Sequence, residues 1–357
     1  MGRIDSFLEL AIKQGGSDLH LVSGQPPRIR IGGTLHRVRF RDLSVEDLQR
    51  IAGEIMNEEQ KAVLEEKKAV DFAYQSEELG RFRVNVYHHV HGYAAALRHI
   101  SDSTPSFESL NLPESIRTHI TSPKGLTLVT GPTGSGKSTT LASLVDYLNE
   151  TRKGHIITIE DPIEFIHKPK QCAITQREVG AHSPTFGDAL RDAVREDPDV
   201  ILVGEMRDME TISLALTAAE TGAQVLGTLH TNGAPRTIDR IVNVFPARRQ
   251  EQIRSMLAES LNMVVSQQLC RTTEEGNKRR AAVEVLINTP ASAAVIRSGS
   301  SHKLASVIQS GARVGMQSLD SVLRSYVQQG LITAQEAYER AIDRAQFERL
   351  IVREEAA

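Results

Sequence analysis

The chain has 357 residues, 40% hydrophobic and 24% charged, an ordinary globular profile with material for two or three domains. Its 42 Lys and Arg against 45 Asp and Glu give a formal charge of −3, without the basic excess of a dedicated nucleic-acid binder. Two distant cysteines, Cys172 and Cys270, exclude a CxxC metal site or a disulfide framework and read as small buried hydrophobes in a reducing compartment. No apolar run approaches the ~20 residues of a membrane span, and the N-terminus has no signal-peptide block, so a cytoplasmic location is expected.

Residues 1–100 predict a small α+β domain. Ile4, Phe7, Leu8 and Ile12 recur at helical spacing, and Gly15-Gly16 stops that helix. Alternating residues on either side of Gly32-Gly33 predict a hairpin. A helix capped by Ser44 follows, then a second after Asn57, with Gln60 placed for a capping box. Alternation over 81–87 and the run 93–100 complete an antiparallel sheet. His88, His89 and His91 cluster at a strand end with no acid or cysteine beside them, and read as structural or solvated rather than as metal ligands.

The stretch 101–113, rich in Ser, Pro and Asp, reads as a linker. Beyond it, short apolar strands at 126–130, 155–159, 200–203 and 224–229 alternate with helices, which predicts an α/β core with a mainly parallel sheet. This core is expected over 114–270. From about Arg271 the chain reads as mainly helical to 357, apart from a strand at 281–287. Thr333 with Glu336 predicts a capping box for the last helix, and Gly330 ends the helix before it.

Gly131-Pro132-Thr133-Gly134-Ser135-Gly136-Lys137-Ser138 matches GxxxxGK[ST] at every fixed position, between a strand and a helix expected to begin near Thr139. The glycines let successive N–H groups point inward at phosphate oxygens, and the helix start adds partial positive charge. Lys137 should reach the β- and γ-phosphates of ATP, Ser138 should ligate Mg²⁺, and Thr139 is counted with the binding residues.

The strand 200–203 ends in Gly204-Glu205. If it lies beside the loop's strand, Glu205 stands at the γ-phosphate as general base; the alternative is a solvated strand-end residue. The usual acidic pair at this strand end is reduced to Gly-Glu, so the metal needs another acid. Glu160, Asp161 and Glu164, directly after the strand 155–159, are the candidates to supply it, a surface acidic turn being the alternative. Thr228, His230, Thr231 and Asn232 end the next strand, where His230 is placed to sense the γ-phosphate or is an ordinary strand-end histidine.

The order GPTGSGKSTT, EDPIE, VILVGEMRD and GTLHTN resembles the Walker A, Asp box, Walker B and His box of the type II/IV secretion and pilus ATPases. With SDLHL and RFRVN near the N-terminus, the resemblance spans nearly the whole chain. It implies a PAS-like N-terminal domain, a RecA-like P-loop ATPase core and a homo-hexameric ring. By this resemblance the ring hydrolyses ATP with Mg²⁺ to power type IV pilus retraction, working peripherally on an inner-membrane platform protein. In the family, arginines of the N-terminal domain complete the pocket; Arg81, Arg83 and Arg98 are the positions here, with Arg195, Arg207 and Arg240 weaker candidates. The length and the two cysteines favour the retraction branch over extension and export relatives. One departure is at 291–300, where an AIRNLIREGK-like segment is replaced by ASAAVIRSGS. An accessory paralogue of the retraction motor is therefore the runner-up reading. A DNA-acting RecA-like motor and a nucleotide-gated switch with little turnover are further alternatives.

Overall fold

The computed structural model describes residues 3–100, 104–274 and 278–355, so positions 101–103 of the expected linker lie outside the described residues. The chain divides into two units, Met1–Ser103 and Thr104–Ala357. No helix among the described residues is long and apolar enough to cross a membrane.

In the first unit, α1 (Arg3–Lys13) precedes β1 (Asp18–Val22), β2 (Arg28–Ile31) and β3 (Thr34–Arg37). Helices α2 (Val45–Ile55) and α3 (Glu58–Lys67) follow, then β4 (Ala69–Ser76), β5 (Gly80–His89) and β6 (Gly92–Ile100). The strands form one antiparallel sheet in the order β3-β2-β1-β6-β5-β4. Gly32 and Gly33 both take positive φ, 55° and 89°, as a two-residue turn that matches strand twist requires. Ser44 with Asp47 and Asn57 with Gln60 form reciprocal capping boxes. Alternation sorts the sheet into two faces. Leu19, Leu21, Ile29, Phe82, Val84, Val86 and Leu97 are buried with Ile4, Leu8, Leu48 and Ile51 of the helices. On the other face, cross-strand register lines up Arg30, Asp18, Arg98 and Arg83. Asp18 sits 2.8 Å from Arg98 and 3.9 Å from Arg30, and Arg83 lies 3.7 Å from Asp71. His88 packs on Tyr93 at 4.4 Å between ring centres, in keeping with a structural part.

The second unit opens with α4 (Glu114–Ile120), β7 (Gly125–Thr130), α5 (Lys137–Thr151), β8 (His155–Glu160), β9 (Ala173–Glu178) and α6 (Phe186–Ala193). It continues with β10 (Val200–Val203), α7 (Met209–Thr221), β11 (Gln224–Leu229), α8 (Ala234–Asn243), α9 (Ala247–Ser260), β12 (Leu261–Arg271) and β13 (Arg279–Ile287). Helices α10 (Pro290–Arg297), α11 (Leu304–Ser310), α12 (Leu319–Gln328), α13 (Ala334–Arg340) and α14 (Ala345–Glu355) end the chain. The seven strands run β13-β12-β7-β11-β10-β8-β9, all pairs parallel except the antiparallel β12–β13. Every residue of β7, β10 and β11 is buried, as parallel strands covered on both faces must be. Phe107 and Leu112, within the stretch read as a linker, join this unit's core.

Four expectations need correction. Strand β10 does not adjoin β7, because β11 lies between them. Strands β9 and β12 escaped the sequence reading; β12 breaks its apolar residues with Asn262 and turns polar at Ser266, so it shows no sustained alternation. Thr333 caps α13 by accepting from the Glu336 N–H, but the Glu336 carboxylate is taken by the Arg271 N–H and by Arg340, so the box is not reciprocal. Nor is α13 the last helix, since α14 follows it.

Candidate nucleotide site

The loop after β7 is forced into its shape by glycine. Gly131 has φ 143°, and a Cβ there would stand 2.2 Å from the Gln267 carbonyl oxygen on β12. Gly136, φ 88°, would place a Cβ 2.8 Å from the Gln267 side-chain nitrogen. Helix α5 starts at Lys137, two residues earlier than Thr139, because the loop closes into the helix directly. The backbone N–H groups of Gly134, Gly136, Lys137, Ser138 and Thr139 find no backbone acceptor among the described residues. A run of free amides at a helix start is an anion cradle.

Beside it is a cavity of about 200 Å³ lined wholly by the second unit. Thr133, Gly134, Lys137 and Ser138 contribute from the loop, and Glu160, Asp161, Glu164, Glu205, Thr228 and His230 from the strand ends. Gly131, Pro132, Ser135, Gly136 and Thr139 frame the loop without lining the cavity. Four strand ends thus converge on one cleft, although the strands are not adjacent in the order expected.

Lys137 is 9% exposed, and its ammonium donates to the Gly131 and Pro132 carbonyls at 3.0 and 3.1 Å. Burial lowers its pKa, against the pull of Glu205 and Glu164. Its Nζ also lies 3.5 Å from His230 Nδ1, and His230 Nε2 lies 3.3 Å from Glu205 Oε1. The other oxygen of Glu205 meets Arg207 Nη2 at 2.6 Å. Burial alone would raise the Glu205 pKa; Arg207 and His230 outweigh it, and the carboxyl is held below its usual range. One imidazole therefore stands between the loop lysine and the strand-end carboxylate.

Of the acidic cluster, Glu160 is the most enclosed. Burial pushes its pKa up to about 7, against hydrogen bonds from the Thr158 hydroxyl at 2.7 Å and the Gln176 amide at 3.4 Å. Asp161 and Glu164 are exposed at the cavity rim. Among the described residues, no three His, Cys, Asp or Glu side chains converge on a point that would hold a metal unaided. The donors present, a serine hydroxyl and rim carboxylates, suit a hard cation that brings its own waters and phosphate oxygens.

Arg81, Arg83 and Arg98 lie on the strands of the first unit, with Arg98 engaged by Asp18. Sequence reasoning missed Gln267 altogether. It is 2% exposed under the loop, donates to the Ser135 carbonyl at 2.6 Å and accepts from the Thr140 hydroxyl at 2.8 Å. It also missed Glu284 on β13, which accepts from the Ala234 N–H at 2.8 Å. Burial raises the Glu284 pKa against the pull of the nearby Ala234 and Leu319 amides. Neither residue belongs to a local motif.

A family model described as "Type II/IV secretion system protein" matches residues 2–351. The type IV pilus retraction ATPase PilT of Pseudomonas aeruginosa is 48% identical over 338 residues, 95% of this chain and 98% of that one. A twitching motility protein of Neisseria gonorrhoeae is 49% identical over 88% of this chain and 84% of its own length. Among solved structures, that of the pilus retraction motor PilT with bound ADP superposes with a TM-score of 0.91 at 45% identity, covering 98% of this chain and all of the other.

Proposed function

The chain belongs to the type II/IV secretion system protein family, and on that premise we propose that it is an ATP-hydrolysing motor subunit that powers type IV pilus retraction. The observation that carries the reading is the line Lys137–His230–Glu205 across one cleft, at 3.5 and 3.3 Å. Similarity to retraction and twitching proteins over nearly the whole chain supports the choice of process.

In this reading ATP is the substrate, and its phosphates lie on the free amides from Gly134 to Thr139. Lys137 exchanges its two loop carbonyls for phosphate oxygens, which holds the γ-phosphoryl group in line for attack. Glu205 orients and deprotonates the attacking water, and His230, touching both, registers the loss of the γ-phosphate. Mg²⁺ would be held by Ser138 with help from Glu160, Asp161 and Glu164, and when bound it offsets phosphate charge. Arg81, Arg83 and Arg98 keep, from the resemblance, the part of neutralising developing charge. The assembled form is a homo-hexamer at the cytoplasmic base of the pilus, acting on an inner-membrane platform protein without nucleic acid.

Phosphate release by the purified chain tests the chemistry. Glu205→Gln should bind ATP and fail to turn it over; hydrolysis at the wild-type rate would remove Glu205 from its role. Expression in a retraction-deficient, pilus-bearing host tests the process through twitching and surface pili. The accessory-paralogue reading has one observation in its favour. Helix α10 is intact and capped, and the altered positions Ala294 and Ser298 within 291–300 are exposed, so the segment offers a changed surface, while the altered Ser292 lies in the interior. Unchanged surface pili on complementation would select it.

A further inference from the structure

We propose that Gln267 is a positioning residue for phosphate binding, which aims the Gly136 N–H into the cradle by holding the Ser135 carbonyl away from it. This deepens the nucleotide-site reading and rests on it.

The peptide bond is planar and trans, so the carbonyl of Ser135 and the N–H of Gly136 point in opposite directions from one plane. Whatever fixes the carbonyl fixes the amide. The Ser135 oxygen is met at 2.6 Å by the Gln267 side-chain nitrogen, on the β12 side of the loop. The Gly136 N–H is thereby turned away from β12 and has no backbone acceptor among the described residues. A carbonyl oxygen can only accept, so the Gln267 amide must present its NH₂ here and its oxygen elsewhere. The Thr140 hydroxyl, 1% exposed in the first turn of α5, donates to that oxygen at 2.8 Å and locks the orientation.

The strut is also packed from behind. Gln267 follows Ser266, which registers with Thr130 at the end of β7, so its backbone lies directly beneath the start of the loop. The close approaches to Gly131 and Gly136 leave the loop no room to settle lower. Without the Gln267 donor, the Ser135 carbonyl would be buried unsatisfied or would rotate outward. Rotation would place an oxygen lone pair where a phosphate needs a hydrogen-bond donor. The expected defect is therefore specific to phosphate and does not extend to the nucleoside.

The experiment compares ADP with adenosine on the full-length chain, ADP by titration calorimetry and adenosine by ligand-observed NMR. Gln267→Met keeps the bulk and removes the donor. It should weaken ADP by about tenfold or more while leaving adenosine within about twofold. Thr140→Val, which frees the amide to turn, should show the same selective loss in smaller measure, and it carries the test if Gln267→Met does not fold. Unchanged ADP affinity, or an equal loss for both ligands, would overturn the proposal, the second because it is what general loosening produces. Wild-type protein that does not bind ADP overturns the nucleotide reading itself, and this is seen before any variant is made.

Discussion

The two sheets of this chain solve the same burial problem in opposite ways. The antiparallel sheet of the first unit buries one face and leaves the other polar, with a row of arginines between Asp18 and Asp71. The parallel sheet of the second unit is covered on both faces at its centre, and offers solvent only its strand ends. Side chains on a bare face answer to charge and register. Those at strand ends answer to loops, and there glycine, a helix start and carboxylates from separate strands gather into a cleft. The first arrangement suits display of charge, and the second suits chemistry.

The sharpest way to test that contrast is at the cleft. Lys137→Ala should lower phosphate release by at least about 100-fold with the fold intact by circular dichroism. Arg30→Ala, on the bare face and outside the assigned catalytic set, should leave hydrolysis within about twofold. Comparable losses from both would erase the distinction between display and chemistry.

Next in size is the core. Leu128→Ala, in a strand buried on both faces, should cost about 2–5 kcal/mol in denaturant unfolding. The exposed Leu35→Ala on β3 should fall within about 0.5 kcal/mol.

The units should also differ in pH dependence. Glu160 has its folded pKa raised to about 7 from an ordinary 4.5. The folded state thus holds more protons than the unfolded, and stability falls as pH rises between those values. Glu160→Gln should remove a loss on the order of 2 kcal/mol between pH 5 and 8, read from unfolding midpoints at each pH. In the first unit the sign reverses. Burial works against the Asp18 charge, but the Ser17 hydroxyl and Arg98 outweigh it and hold the pKa below the usual value, so the contribution is present above pH 3.8 and is lost on acidification. Asp18→Asn should flatten the acid arm of the stability profile.

The smallest expected effect is at a helix cap. Ser44→Ala removes half of a reciprocal box and should cost about 1 kcal/mol. Thr333→Ala removes the equivalent bond from the Glu336 N–H and should cost a similar amount.

What the sequence disclosed follows the range of each interaction. The loop 131–138 was legible because eight neighbouring residues define its own geometry. Glu205 was legible as the carboxylate that closes an apolar strand. The order of strands was not, since β11 standing between β7 and β10 is a property of tertiary pairing. Gln267 was invisible for the same reason: its partner Ser135 is 132 residues away, and a lone glutamine in a strand announces nothing. Thr333 and Glu336 have the right spacing for a reciprocal cap, and only the folded chain reveals that Arg271 had claimed the glutamate.

Glu284 ties the start of α8, just past His230, to strand β13 through one enclosed carboxyl group. Drawing that helix start away would leave an enclosed carboxyl group without its Ala234 donor, which is unfavourable. The loop that carries His230 therefore cannot lift away from β13 without giving up that bond.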